Sequence, residues 1–462
     1  MDALSRLARD VAQVRHVDIG AAAARDTVRR ILDTLGCALA AHEAEPVRIA
    51  RGLALNVTGK PGARLLGSGH ATSEEMAAFA NGLAARVMEG NDAYPGGGGH
   101  PSDAIPAILA VAEAQGAPGR SVIEAVWTSY QVHFALFQAL RLREAGLDHV
   151  LYTALATAAG VAKLLGLAPE ATRHALALAL TPNLSLHATR VGAISMWKGA
   201  AGANAARNGV FAARLAAAGM TGPEAPLDGH HGLIELIGPR DIGGILGQPD
   251  AMLTRACHKF LLSEYHAQSP VIAALQLRPA PDAIERLDVH TYHFTWSEIG
   301  SGPEKWKPET AEAADHSLPY ILAATLVDSG YSDAIYAPER LRDPRIRALM
   351  PRIHVHEDPE LTAIFPGAYP CRLEVTLRDG RVLRAEVANP PGHPDNPMSD
   401  AQIAGKFRAL AGRVLDAAQV EAALDWLWRL EEQPSMRPFF DLVRVDSAPP
   451  ASGRLAQPVR PA

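Results

Sequence analysis

Thr27-Val28-Arg29-Arg30-Ile31-Leu32-Asp33-Thr34-Leu35-Gly36-Cys37-Ala38-Leu39-Ala40-Ala41 sets Val28, Ile31, Leu32, Leu35 and Leu39 at spacings of three and four. That is the period of a helix with one apolar face, and Asp26 stands where an N-terminal cap belongs. Working outward, the same spacing recurs through the first half of the chain. Helices are predicted over 73–88, 105–115, 121–140, 151–165, 169–179 and 197–218, the first capped by Ser73 with Glu74 and Glu75 near its positive end. These segments are dense in alanine, which lets helix axes approach closely, so the expected core is one large all-helical domain.

After about Pro270 the apolar period changes to two. Residues 287–294, 352–356, 372–377 and 382–387 read as strands, with Asp379-Gly380 as the turn between the last two. With a helix expected over 314–329, this region reads as an α+β unit, helices against an antiparallel sheet. Residues 401–432 return to helical spacing. The expected fold is therefore mostly α: a helical domain over 1–268, a smaller α+β lid domain over 269–402 inserted before C-terminal helices at 403–446, and a mobile tail rich in proline, alanine and serine over 447–462.

Composition removes several function classes. A chain of 462 residues exceeds one compact core, and 48% hydrophobic with 20% charged residues is globular. Forty-four Lys plus Arg against fifty Asp plus Glu gives a net charge of −6 without a basic run, which argues against nucleic acid as a partner. Cys37, Cys257 and Cys371 are too scattered for a spaced zinc or iron–sulfur ligand set, so no metal or cofactor built on cysteine, iron–sulfur cluster included, is expected. The N-terminal residues alternate in charge and no stretch offers about 18 uninterrupted apolar residues, the signature of a cytoplasmic protein without a membrane partner.

Chemistry concentrates in four places. The loop Glu89-Gly90-Asn91-Asp92-Ala93-Tyr94-Pro95-Gly96-Gly97-Gly98-Gly99-His100-Pro101-Ser102-Asp103 joins two predicted helices. Its four consecutive glycines read equally as a surface connection or as backbone closely approached by a ligand. It lacks the Lys-Ser/Thr of a phosphate loop, which leaves Asp92 and His100 as acid–base candidates. His149, after Asp148 and before an alanine-rich helix, reads as a core histidine as well as a proton-transfer group. Lys198 opens a nearly apolar helix and must snorkel or meet an anion. His258 to Gln268 gathers Lys259, Glu264 and His266 near the expected domain boundary. Asp228-Gly229-His230-His231 and His354-Val355-His356-Glu357-Asp358 have metal-like composition but no established ligand spacing, and read as surface segments.

Seven ordered segments carry a family resemblance: Asp33-Thr34-Leu35-Gly36-Cys37; Gly99-His100-Pro101-Ser102-Asp103; Asp148-His149-Val150; Met196-Trp197-Lys198-Gly199 through Arg207-Asn208-Gly209; Gly219-Met220-Thr221-Gly222-Pro223; Glu264-Tyr265-His266-Ala267-Gln268; and Ala314-Asp315-His316-Ser317-Leu318-Pro319-Tyr320. Across roughly residues 5 to 435 the chain resembles the MmgE/PrpD family of 2-methylcitrate dehydratase and cis-aconitate decarboxylase. The resemblance implies a helical domain, an α+β lid, a cleft between them, a homodimer, and a small polycarboxylate substrate of the kind met in propionate catabolism. It implies Asp92, His100, His149 and Lys198 as catalytic residues, and Ser102, Lys259, Glu264, His266 and His316 as substrate-binding residues.

The implied reaction is dehydration: loss of a proton beside a carboxylate and of a protonated hydroxyl, a carbon–oxygen lyase working without a cofactor. Lys198 and Lys259 would meet the developing charge, His149 would move the proton with His100 as partner, and Asp92 would orient one imidazole. Where the decarboxylase branch resembles a Lys followed five residues later by His, this chain has Lys259 followed by Glu264, which favours the hydro-lyase. The glycine-filled loop leaves a related hydroxy acid or an imino acid open as substrate. An epimerase, isomerase or decarboxylase on a related polycarboxylate is the alternative enzyme, and a silent binding protein the alternative class.

Overall fold

A computed structural model describes residues 2–192, 194–238 and 253–445. The tail expected over 447–462 lies outside the described residues. Two compact units are resolved. The first comprises residues 2–192, 196–238, 253–257 and 399–445, and the second comprises 258–398 with residues 194 and 195.

The first unit is helical. Helix α1 (Ala3–Gln13) is capped by Asp2, whose side chain accepts from the Ser5 amide, and buries Leu4, Leu7, Ala8 and Val11. Its charges occupy the opposite face, so their alternation in sequence marks an amphipathic helix. Helix α2 (Ala21–Ala40) begins before Asp26. The expected cap is instead an interior residue: the four alanines Ala21–Ala24 sustain the helix without a capping side chain, and Asp26 pairs with Arg30 one turn later at 3.1 Å. Helix α3 (Glu45–Ala54) and the short hairpin of β1 (Ala63–Arg64) and β2 (Ala71–Thr72) lead to α4 (Glu74–Val87), where Ser73 caps through the Met76 amide.

Helices α5 (Ile105–Gln115), α6 (Gly119–Ala139), α7 (Val150–Leu164), α8 (Pro169–Leu180) and α9 (Trp197–Ala217) complete the core. All but the last residues of α7 are buried, and α6, α8 and α9 pack against it. Small residues make that approach possible: a Cβ on Gly209 of α9 would lie 2.6 Å from the Ala154 carbonyl oxygen of α7. The helix Asp400–Ala411, opened by a Ser399/Gln402 capping box, packs on α2 of the same unit.

The second unit holds a four-stranded sheet of order β4-β3-β5-β6, built from β3 (Ile284–Thr291), β4 (Ile353–Glu357), β5 (Cys371–Leu377) and β6 (Val382–Val387). The antiparallel expectation is corrected here. Strands β5 and β6 form the hairpin around Asp379-Gly380, but β3 pairs β4 in parallel, Leu287 opposite Ile353 and Val289 opposite Val355. More than sixty residues connect β3 to β4, including the helix Leu318–Val327, and a connection of that length permits the parallel return that a hairpin does not. Cys371, Leu373, Val375 and Leu377 point to one face and join a core with the helices Gln268–Leu277 and Leu318–Val327. Leu261 and Ala267 belong to that core, so the segment containing Lys259, Glu264 and His266 is part of the second unit.

Candidate active site

In the first unit the glycine loop connects α4 to α5 and turns back on itself, the Tyr94 amide donating to the Gly99 carbonyl at 2.9 Å. Gly99 has φ +78°, and a Cβ there would stand 2.3 Å from Cδ2 of His149. Glycine is required because the imidazole of His149 lies directly against this backbone.

Asp92 is buried, but its carboxylate does not meet an imidazole as expected. Oδ1 accepts from the Ser102 amide at 3.1 Å, Oδ2 accepts from the Tyr130 hydroxyl at 2.6 Å, and Arg30 Nη1 lies 3.6 Å from Oδ2. The side chain is drawn into the core by a cation and two donors, while its main-chain carbonyl faces outward and accepts from His100 Nδ1 at 2.6 Å. That bond requires the proton on Nδ1, which leaves Nε2 to accept from Arg86 Nη2 at 2.8 Å. Ser102 is likewise internal to the loop, its Oγ accepting from Asn91 at 3.1 Å.

His149 precedes α7, whose first amide, Val150, donates to Asp148 Oδ1 at 3.2 Å. The ring of His149 lies 5.6 Å from that of His100 at 68°, with Nδ1 3.3 Å from Asp148 Oδ1 and Nε2 3.2 Å from Arg190 Nη2. Burial, then the charge of Arg190, holds its pKa well below the ordinary histidine range, so the ring is neutral at pH 7. Lys198 does not snorkel. It is 2% exposed, with Nζ 2.7 Å from Glu89 Oε1, and the same oxygen is 2.6 Å from Arg86 Nη1. The first unit thus brings His100, His149 and Lys198 into one group with Asp92 behind it, linked through Lys198–Glu89–Arg86–His100.

Two acid–base residues nearby were not singled out from sequence. Asp103, desolvated and near Asp92, has its pKa raised to about 6, and its carboxylate occupies space that a Cβ on Gly202 would contest at 2.2 Å. His133 on α6 is fully buried, donates Nε2–H to the Gly98 carbonyl at 2.7 Å, and has its pKa lowered to about 4 by desolvation. Arg86 and Glu89 pair three residues apart, which reads as an ordinary surface ion pair, and what ties them to the group is Lys198, over a hundred residues on; Arg190 was missed because Asp148 and His149 stand about forty residues before it.

In the second unit Lys259 is 1% exposed. Glu264 caps the turn Tyr265–Ala267 by accepting from the His266 amide at 2.6 Å. His266 Nδ1 lies 2.5 Å from the Tyr292 hydroxyl, and its ring sits among Phe294, Phe365 and Tyr369. Burial raises the Tyr292 hydroxyl well above the usual phenol range. His316 pairs with Asp315 just before the helix that Ser317 caps. Lys259, Glu264 and His266 therefore belong to one short segment, with His316 elsewhere in the same unit.

The two metal-like segments have separate placements. His356 Nε2 bonds Asp288 Oδ1 on the neighbouring strand at 2.6 Å. Asp228 accepts from the Ala3 amide at 3.0 Å, while His230, His231 and Glu235 are exposed, with ligand atoms within 4.8 Å of one another. A cavity of about 380 Å³ beside them, lined by Leu180, Thr181, Leu184, His231 and Glu235 among others, includes none of Asp92, His100, His149, Lys198, Lys259, Glu264, His266 and His316. No helix among the described residues is long and apolar enough to cross a membrane.

Comparison with known proteins covers both units. Residues 5–242 match the MmgE/PrpD N-terminal domain and residues 263–430 match the MmgE/PrpD C-terminal domain. The chain is 30% identical over 453 residues to 2-methylcitrate dehydratase of Cupriavidus necator, covering 89% of this chain and 90% of the relative. It is 28% identical to 2-methylcitrate dehydratase of Salmonella typhimurium (91% and 93% covered) and 26% identical to cis-aconitate decarboxylase of Homo sapiens (91% and 90% covered). With both domain types matched in order over nearly the whole chain, the protein belongs to the MmgE/PrpD family.

Proposed function

We propose that this protein is a carbon–oxygen lyase that dehydrates 2-methylcitrate or a closely related hydroxy polycarboxylate by acid–base catalysis. The observation that carries the reading is the pair His100 and His149, with rings 5.6 Å apart and opposed tethers. Each ring has Nδ1 turned to a protein oxygen and Nε2 bonded to a guanidinium. Two imidazoles at that spacing suit removal of a proton from carbon and delivery of one to a departing hydroxyl, with Lys198 and the two arginines meeting the charge of the carboxylates. A bound polyanion would also raise the depressed pKa of His149 toward neutrality, where a general base works best.

Dehydration is favoured over decarboxylation by Glu264. It stands five residues after Lys259, where the decarboxylase-like pattern has a histidine, and its carboxylate accepts from the His266 amide to cap the turn Tyr265–Ala267. A homodimer forms part of the same reading and is checked by sedimentation equilibrium. The test of function is proton NMR in deuterium oxide with 2-methylcitrate, citrate and cis-aconitate. An olefinic product from a hydroxy acid supports the lyase. Deuterium uptake without elimination would replace it by an epimerase, and loss of carbon dioxide from cis-aconitate by a decarboxylase.

A further inference from the structure

Arg190 lies in the turn His187–Arg190, outside every segment that the sequence singled out. Its guanidinium divides one edge between two acceptors. Nε stands 3.0 Å from Asp148 Oδ2 and 3.2 Å from Asp148 Oδ1, while Nη2 donates to His149 Nε2 at 3.2 Å. The side chain is 12% exposed, and Nη1 has no hydrogen-bond partner among the described residues. This geometry has a chemical consequence. With Nδ1 facing Asp148, the one lone pair through which His149 could take a proton is the Nε2 pair, and Arg190 occupies it.

A neutral imidazole is a weaker partner for guanidinium than a carboxylate, which binds the fork through two parallel charge-assisted bonds. We propose that Arg190 is a carboxylate-binding and positioning residue: a substrate carboxylate draws its guanidinium away from His149 and thereby frees Nε2 to act on the carbon beside that carboxylate. The inference rests on the acid–base reading above and adds a substrate requirement, a carboxylate adjacent to the acidic C–H. Asp148 keeps the arginine near the imidazole in both arrangements through Nε. No covalent step is involved until the proton moves from carbon to Nε2; the electron pair left on carbon forms the double bond and breaks the carbon–oxygen bond, and the departing hydroxyl takes a proton from the imidazolium form of His100 and leaves as water.

The test uses the full chain with 15N-labelled histidine and tricarballylate, a tricarboxylate that has no hydroxyl to lose. In the ligand-free protein the His149 Nε2 resonance carries the shift of a hydrogen-bonded acceptor; saturating tricarballylate moves it toward the unbonded value, and Arg190→Gln shows that value without ligand. The variant also binds tricarballylate about 10–100-fold more weakly, the loss of a charge-assisted pair. On whichever substrate turns over, Arg190→Lys raises KM more than it lowers kcat and recovers part of the loss in Arg190→Gln. Arg190→Gln binding tricarballylate as tightly as the parent, or an Nε2 resonance unmoved at saturation, overturns the inference while leaving the lyase standing. A parent protein that neither binds tricarballylate nor turns over any hydroxy acid overturns both.

Discussion

Gly99 shows how one residue sets the chemistry of another. Its φ of +78° and the 2.3 Å separation between a notional Cβ and the His149 ring mean that Gly99→Ala must displace the loop or the imidazole. Turnover is expected to fall about 100-fold, because small misplacements of a proton-transfer group are costly. Steady-state kinetics with a circular-dichroism check of folding reads this; a variant with parental kcat would show that His149 does not depend on the loop. Asp103 makes a different prediction. Its folded pKa of about 6 exceeds the unfolded value near 3.8, so its contribution to stability is present below pH 3.8 and is lost as pH rises through 6. Asp103→Asn should therefore gain on the parent by about 1 kcal/mol more at pH 7 than at pH 5, measured by urea unfolding at both. At this scale sequence reading singled out His100, His149 and Lys198, whose types announce proton and charge chemistry, and the fold brings the three into one group. It misassigned the Asp92 carboxylate, because whether a carboxylate or its own carbonyl faces an imidazole depends on Tyr130 and Arg30, which lie 38 and 62 residues away.

Among the elements, α2 carries the buried support of the site. Arg30 bonds Asp26 on its own helix, faces Asp92 of the loop and donates to the Ala256 carbonyl at 2.7 Å. Arg30→Leu leaves the buried Asp92 carboxylate without its cation and Asp26 with Arg29 alone, and a loss of about 3–5 kcal/mol is expected in urea unfolding. A loss under about 1 kcal/mol would contradict the buried network. The apolar period revealed α2, α4 to α9 and most strands, since burial of one face is what imposes the period. It misplaced the start of α2, where Ala21–Ala24 extend the helix past the apparent cap at Asp26. It also could not give the direction of β4, because alternation records which face is buried and not which neighbour runs beside it.

The whole molecule should respond to acid through its buried neutral histidines. His133 titrates near 4 in the fold against 6.5 unfolded, so its stabilising contribution holds above pH 6.5 and is lost as pH falls toward 4. His133→Gln retains a donor for the Gly98 carbonyl without that proton linkage. It should gain on the parent by about 2 kcal/mol between pH 7.5 and pH 5; equal pH profiles would show that His133 takes up its proton alike in the folded and unfolded chain. The family itself was legible over both units because its motifs lie in order along the chain, whereas the guanidinium tethers exist only after folding. The central claim, that His149 moves the proton in a dehydration, is tested most directly by following the olefinic signal from 2-methylcitrate with the parent and with His149→Gln under the same conditions. The account predicts product from the parent and a rate lower by about 100–10,000-fold in the variant; equal rates in the two proteins would contradict it.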